Sequence, residues 1–220
     1  MGMKRITAIA LAIALAVTFA ACGTNNQAER DLKVQLELVN NMNAPALKLV
    51  YGASATQEQD SALQNYGVTS DQAIEVIVAY FDRFAYEIVS SEESGDTATV
   101  KTKIVMTNFA SLMPRVTQDI LQNNLSGILS GGDDIAPKVV ESIVKVLKTG
   151  DVGTKSTEVD IHLSKNGGST YRIIADEGFV DAISGGGIAY MRQQGLNEQA
   201  DMLLAMIQSY IGQSGAEISQ

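Results

Sequence analysis

The run from Thr97 to Thr107 alternates without a break, and no other stretch constrains the fold as tightly. Ala98, Val100, Thr102, Ile104 and Met106 share one side, and Thr99, Lys101, Lys103 and Val105 share the other. Successive strand side chains point to opposite faces, so this spacing predicts a strand with one face on a core and one in water. Valine, isoleucine and threonine suit such a half-buried pleated surface. Upstream, Phe84, Tyr86 and Ile88 keep the same period. Between the two runs lie Ser90–Asp96, where Gly95 takes a positive φ without steric cost and Asp96 and the serines make local turn bonds. Tyr86 to Phe109 therefore reads as an antiparallel hairpin. A lone hairpin is marginal in water, so other parts of the chain must cover its apolar face.

A second alternation follows. Val159, Ile161 and Leu163 point in, and Glu158, Asp160 and His162 point out. Asn166-Gly167-Gly168 is a strong turn signal, after which Tyr171–Ala175 returns. The fold class is α+β: a four-stranded antiparallel sheet of two hairpins, covered by helices, with a helical insert between the hairpins. A first helix is predicted over Asp31–Asn43 on Leu32, Leu36 and Val39, with a break near Pro45. Thr56 with Gln59, and Thr69 with Gln72, have capping-box spacing. Asp71–Asp82 is apolar nearly all round and is predicted to be largely buried. Beyond the hairpin, Ser111 is placed to cap a helix with Pro114 in its first turn, carrying Val116, Ile120, Leu121, Leu125, Ile128 and Leu129. A further helix from Ile135 turns Val139, Val140, Ile143, Val144 and Leu147 to one side and pairs Glu141 with Lys145. Ile188–Gln194 and Leu196–Ile211 read as the last helices.

The N-terminus has a different character. Lys4 and Arg5 precede an uncharged apolar run from Ile6 to Ala21, the layout of a secretory signal peptide with small residues before a cleavage point. Phe19-Ala20-Ala21-Cys22 resembles a bacterial lipobox, in which the cysteine becomes the new N-terminus and carries a diacylglyceryl group. The alternative is an ordinary signal peptide beside a chance cysteine. One cysteine in an exported chain makes no internal disulfide, so it calls for another role. The predicted organisation is a signal peptide over 1–21, a flexible tether over 22–30, an α+β domain over 31–213 and a frayed tail over 214–220. The chain has 16 Lys and Arg against 25 Asp and Glu; losing Lys4 and Arg5 leaves 14 against 25, a formal −11. Such an acidic surface excludes general binding to nucleic acid or anionic lipid through charge.

With these features in place, Gly95-Asp96-Thr97-Ala98-Thr99-Val100 and Tyr171-Arg172-Ile173 followed by Phe179 carry a resemblance. The chain resembles small bacterial lipoproteins with a nuclear-transport-factor-two-like or cystatin-like α+β domain. Those proteins commonly hold tryptophan where Tyr171 stands, and the insert over 109–150 departs from their simplest form. The resemblance implies a fold and an envelope location and names no activity; Gly23 after Cys22, where an aspartate retention signal would stand, points to the outer membrane where the host has one.

Four groups invite a chemical reading. His162 is the single histidine, on the predicted solvent face, where no catalytic triad or zinc site is expected. Asp133-Asp134 lacks a calcium-loop pattern and suits a helix N-cap. Gly185-Gly186-Gly187 has neither a following Lys-Ser or Lys-Thr nor a dinucleotide-binding context, so it reads as a flexible or close-packed turn. Tyr190, Met191, Met202, Met206 and Tyr210 are the ligand-contact candidates, since methionine adapts to varied partners, although core packing explains the same spacing. No catalytic residue, metal or cofactor is expected. The functional expectation is a lipid-anchored envelope module, held by Cys22, that binds a small ligand or an envelope protein. A small hydrolase or isomerase with a sheet–helix pocket and a purely structural envelope protein are the alternatives.

Overall fold

The two alternating runs form the central pair of the sheet. In this computed structural model, which describes residues 26–40, 67–123, 135–149 and 152–217, one antiparallel sheet forms in the order β1–β2–β3–β4. The strands are β1 (Ala85–Ser94), β2 (Thr97–Thr107), β3 (Thr154–Ser164) and β4 (Arg172–Ile173). Seven helices are described: α1 (Gln27–Asn40), α2 (Ser70–Phe81), α3 (Phe109–Asn123), α4 (Ile135–Lys148), α5 (Glu177–Ile183), α6 (Gly187–Gln193) and α7 (Asn197–Glu217). Helices α3 and α4 form the insert between the two hairpins.

Strands β2 and β3 pair over their full length, from Thr97 opposite Ser164 to Thr107 opposite Thr154. The inner face of β2 is Ala98, Val100, Thr102, Ile104 and Met106, all buried. Thr102 is tolerated there because its hydroxyl donates to the Val100 carbonyl at 3.3 Å. Leu32 and Leu36 of α1 and Phe179 and Ile183 of α5 pack on this face with Ile161 and Leu163 of β3. Leu112 and Val116 of α3, with Val146 and Leu147 of α4, make a second core, joined to the first through Tyr80. Val180, Ile188 and Ala200 make a third, among α5, α6 and α7.

Strand β1 holds a bulge. Ile88 faces Thr102 and Ser90 faces Lys101, so Val89 is an extra residue and is left exposed. The insertion reverses the phase: inward positions run Tyr86 and Ile88, then Ser91 and Glu93. The sequence alternation gives no sign of this reversal, and it proves decisive for α1.

Several boundaries differ from the sequence expectation. Helix α1 starts at Gln27, inside the segment read as tether, because Asn26 caps it: its side-chain oxygen accepts from Ala28 N at 3.0 Å. Helix α2 has the expected capping box at Thr69 and Gln72, but of its residues only Ile74 is buried; the other apolar side chains are half-buried. Helix α3 is capped by Asn108, not Ser111, since Asn108 Oδ1 accepts from Ser111 N at 3.3 Å. Pro114 therefore falls in the second turn. Helix α7 runs on to Glu217; Gly212 and Gly215 each cost about 1 kcal/mol relative to alanine but do not forbid a helix. Strand β4 is shorter than Tyr171–Ala175 because Asp176 turns the chain into α5, its carboxylate accepting from Phe179 N at 2.8 Å. The readings at Pro45, Thr56–Gln59, Leu125–Leu129 and Asp133–Asp134 lie outside the described residues.

Lys145 reaches across from α4 to Asp119 of α3, the pairing observed in place of the helix-internal one with Glu141. The Lys145 hydrogen bond holds the Asp119 carboxyl below its ordinary value, helped by Ser142 and Asn123. A carboxyl depressed in the folded state stabilises above its unfolded pKa of about 3.9, and that contribution disappears as pH falls through the folded value. Asp119→Asn is therefore expected to lower the urea midpoint at pH 7, with the gap to the parent closing below about pH 4. A gap independent of pH would show that this ion pair does not tie α3 to α4.

Candidate functional site

The three C-terminal ligand-contact candidates whose side chains are described, Tyr190, Met191 and Met202, do not converge. Tyr190 of α6 stands edge-on to Phe109, with ring centroids 5.6 Å apart. Met191 packs inward on the core of Val180, Ile188 and Ala200. Met202 projects from α7 into solvent, 72% exposed. Met206 and Tyr210 belong to α7, but their side chains lie outside the described residues. Beside Met202, Arg192 grips both oxygens of Glu177 at 3.1 Å and Asp201 at 3.1 Å, which fastens α5, α6 and α7 together. Met202 is thus an exposed apolar side chain on a well-fastened helical corner, apart from Met191.

His162 lies on the outer face of the sheet, as its alternation predicts, with Thr99 Oγ1 3.3 Å from Nδ1 and Asp176 Oδ2 3.8 Å from Nε2. The order hydroxyl, imidazole, carboxylate is that of a triad, but the distances are not. The 3.8 Å separation is beyond hydrogen-bond range. Asp176 is engaged as the α5 N-cap, and the imidazole side chain is 52% exposed. Solvent at this surface screens any charge relay. Among the described residues, no group of three or more His, Cys, Asp or Glu is arranged to hold a metal ion.

The triple glycine is a close-packed turn. Gly185 has φ +56° and Gly186 φ +84°. Gly185 presses on the end of β2, where its carbonyl accepts from Phe109 N at 3.2 Å and Tyr80 donates its hydroxyl to Ser184 O at 2.9 Å. Thr107 donates to Tyr80 O at 2.9 Å, so α2, β2 and the α5–α6 turn close on one another. Burial, with the nearby Asp181 charge, pushes the Tyr80 phenol well above its ordinary value, which keeps it a neutral donor. Asp181 itself accepts from Ala189 N at 2.8 Å and faces Lys155 at 3.7 Å. These groups are engaged with one another, and their arrangement is that of a latch.

The best-defined polar constellation is the seam where α1 meets both sheet edges. On the β1 side, the bulge turns Ser91 and Glu93 toward the helix start. Asn26 Nδ2 donates to Ser91 Oγ at 2.8 Å, Ala28 N donates to Glu93 Oε1 at 2.6 Å, and Ser91 donates to Glu29. A carboxylate at a helix N-terminus satisfies an orphan N–H and favours the helix dipole. Further along, Tyr86 donates to Glu37 at 2.8 Å; burial and that carboxylate push the Tyr86 phenol up to about 12.

On the β4 side, Tyr171 N donates to Asp31 Oδ2 at 2.9 Å, Gln35 donates to Tyr171 O at 2.9 Å, and Ile173 N donates to Gln35 Oε1 at 3.1 Å. Asp31 and Gln35 thus occupy the backbone groups that an added strand would use, which closes this sheet edge. Sequence reasoning recorded Leu32 and Leu36 but missed Asp31 and Gln35. Their spacing of four on one helix face was the available signal.

A search of protein-family models, curated proteins and solved structures finds no match to the chain.

Proposed function

We propose that this chain is an extracytoplasmic lipoprotein, anchored through a diacylglyceryl group on Cys22, whose α+β domain binds a ligand or protein partner at the cell envelope without catalysing a reaction. The observation that supports the non-enzymatic part is the apolar cluster packed between sheet and helices among the described residues. Leu32, Leu36, Val100, Ile104, Met106, Ile161, Leu163 and Phe179 are all buried there. An enzyme of the sheet-and-helix kind takes its substrate in a pocket that carries a few placed polar groups, whereas this cluster is apolar; on the outer surface Met202 is the most exposed of the large apolar side chains described. The anchor is supported by the basic, apolar and small-residue order of Met1–Ala21 before Cys22. Two acyl chains make a stable attachment where one is marginal.

Cys22→Ala is expected to move the protein from the membrane fraction to the soluble one; retention in the membrane fraction would remove the anchor. Affinity purification of the anchored parent from its native membrane, read by mass spectrometry, is expected to enrich a specific partner above a Met202→Asp control. Identical recovery from both would remove the proposed role of that surface.

A further inference from the structure

On the reading that Cys22 is lipidated, the geometry points to one fixed membrane-facing end of the domain. The β1–β2 turn at Ser94–Asp96 and the β3–β4 loop at 165–170 face the lipid headgroups. The end carrying Asp82, Phe84 and Gly153 faces away.

The direction of α1 sets this. Its first turn touches Ser91 and Glu93, near the finish of β1, and Glu37 near its last turn touches Tyr86, near the start. The helix therefore runs opposite to β1, and its N-terminus lies over the end of the sheet where β1 gives way to β2 and β3 to β4. The loop is tied to that helix start directly, since Gln27 donates to Ser169 O.

Length then limits the arrangement. Gly23 to Asn26 separate Cys22 from Gln27, which allows about 18 Å between the two Cα atoms at full extension. Asn26, Glu93 and Ser91 hold the first turn of α1, so the tether does not lengthen by unwinding it. From Thr97 to Thr107 the sheet is about 33 Å long. The anchored end is thus within tether reach of the headgroups, and the other end reaches them only if the domain lies flat.

Lying flat is disfavoured by chemistry. The outer sheet face presents Glu87, Glu158 and Asp160 against Lys101 and Lys103. The acidic balance of the chain after Cys22 opposes anionic lipid. Val34 and Leu38 are exposed on α1, but interfacial binding scales with buried apolar area, and two aliphatic side chains supply little of it. The near end carries the small residues Ser94, Gly95, Gly167 and Ser169 with the oppositely charged Asp96 and Lys165 beside them, a polar surface that suits contact with headgroups and not insertion. The consequence is directional: the α5–α6 turn, the start of α3 and the end of α2 lie at the end turned away from the membrane.

The test uses the full-length acylated protein in phosphatidylcholine vesicles containing a lipid with a headgroup nitroxide. Cys22 is the single cysteine, and acylation consumes its thiol, so an added cysteine is the one site open to a fluorophore. Ser169→Cys and Asp82→Cys place the label at exposed positions on opposite ends. The Ser169 label is expected to lose most of its emission, while the Asp82 label keeps nearly all of it. Equal quenching of both, or quenching of neither in protein that floats with the vesicles, overturns the orientation. A parent chain that does not float and still reacts at Cys22 overturns the anchor reading instead.

Discussion

Gly185→Ala is expected to be the most damaging single-methyl change in the described chain, lowering stability by about 4 kcal/mol. Two costs combine. At φ +56° a residue with a Cβ is strained, which accounts for about 1–3 kcal/mol. That Cβ would also lie 1.9 Å from the Thr107 carbonyl oxygen and 3.2 Å from the Tyr80 hydroxyl. The oxygen is main chain, so relief requires moving the end of β2 or the whole α5–α6 turn, which costs about 1–3 kcal/mol more. Domains of this size have about 5–15 kcal/mol in total. Gly95→Ala separates the two costs, because Gly95 has φ +63° but nothing within 4 Å of its added Cβ. Urea unfolding of both variants is the measurement. Equal losses at the two positions would show that the turn does not press on β2.

The glycine run shows what was legible and what was not. Its sequence context ruled out a phosphate loop and left a flexible or a close-packed turn; only the approach of Thr107 and Tyr80, distant in the chain, decides between them. The sheet was legible because period-two alternation is local: Ala98 to Met106 and Val159 to Leu163 declare their inner faces without reference to a partner. Pairing within each hairpin followed, since turn residues joined its members; the β2–β3 pairing that joins the two hairpins spans the helical insert and had no local signal.

The β1 bulge was not legible. Val89 looks like any strand residue, and its displacement answers the fit of Ser91 and Glu93 to α1, a contact across more than sixty positions. Two helix starts, those of α1 and α3, were misplaced for a related reason, whereas Thr69 with Gln72 and Ile135 began helices as expected. Asn26 and Asn108 cap as well as serine does, and tertiary contacts choose among local candidates. Of the proposed contact residues, spacing placed Met191 and Met202 in one stripe, whereas the turn between α6 and α7 sends one inward and the other outward.

Tyr171→Ala is expected to cost about 3–5 kcal/mol, the range for removing a large buried aromatic side chain. Tyr171 is 1% exposed, the largest of the fully buried side chains described. Its ring lies in the core with Leu32, Leu36 and Leu163, and Lys165 Nζ sits 4.4 Å from its centroid. Its hydroxyl donates to Gly95 O at 2.7 Å, across to the β1–β2 turn. One residue thus joins α1, the turn and the 165–170 loop, the three parts of the end proposed to face the membrane. Tyr171→Phe keeps the ring and removes that bond, at an expected cost of about 1 kcal/mol, because the Gly95 carbonyl loses its partner. The two variants should also differ in where the loss appears. Lys165 N donates to Asp96 O at 2.9 Å beside this contact, so its amide should exchange faster in Tyr171→Phe while β2 amides exchange at nearly the parent rate. Tyr171→Ala should raise exchange in both places. A Phe variant that weakens β2 as much as the turn would mean that the hydroxyl supports the whole sheet, and that the near end does not behave as a separately fastened unit.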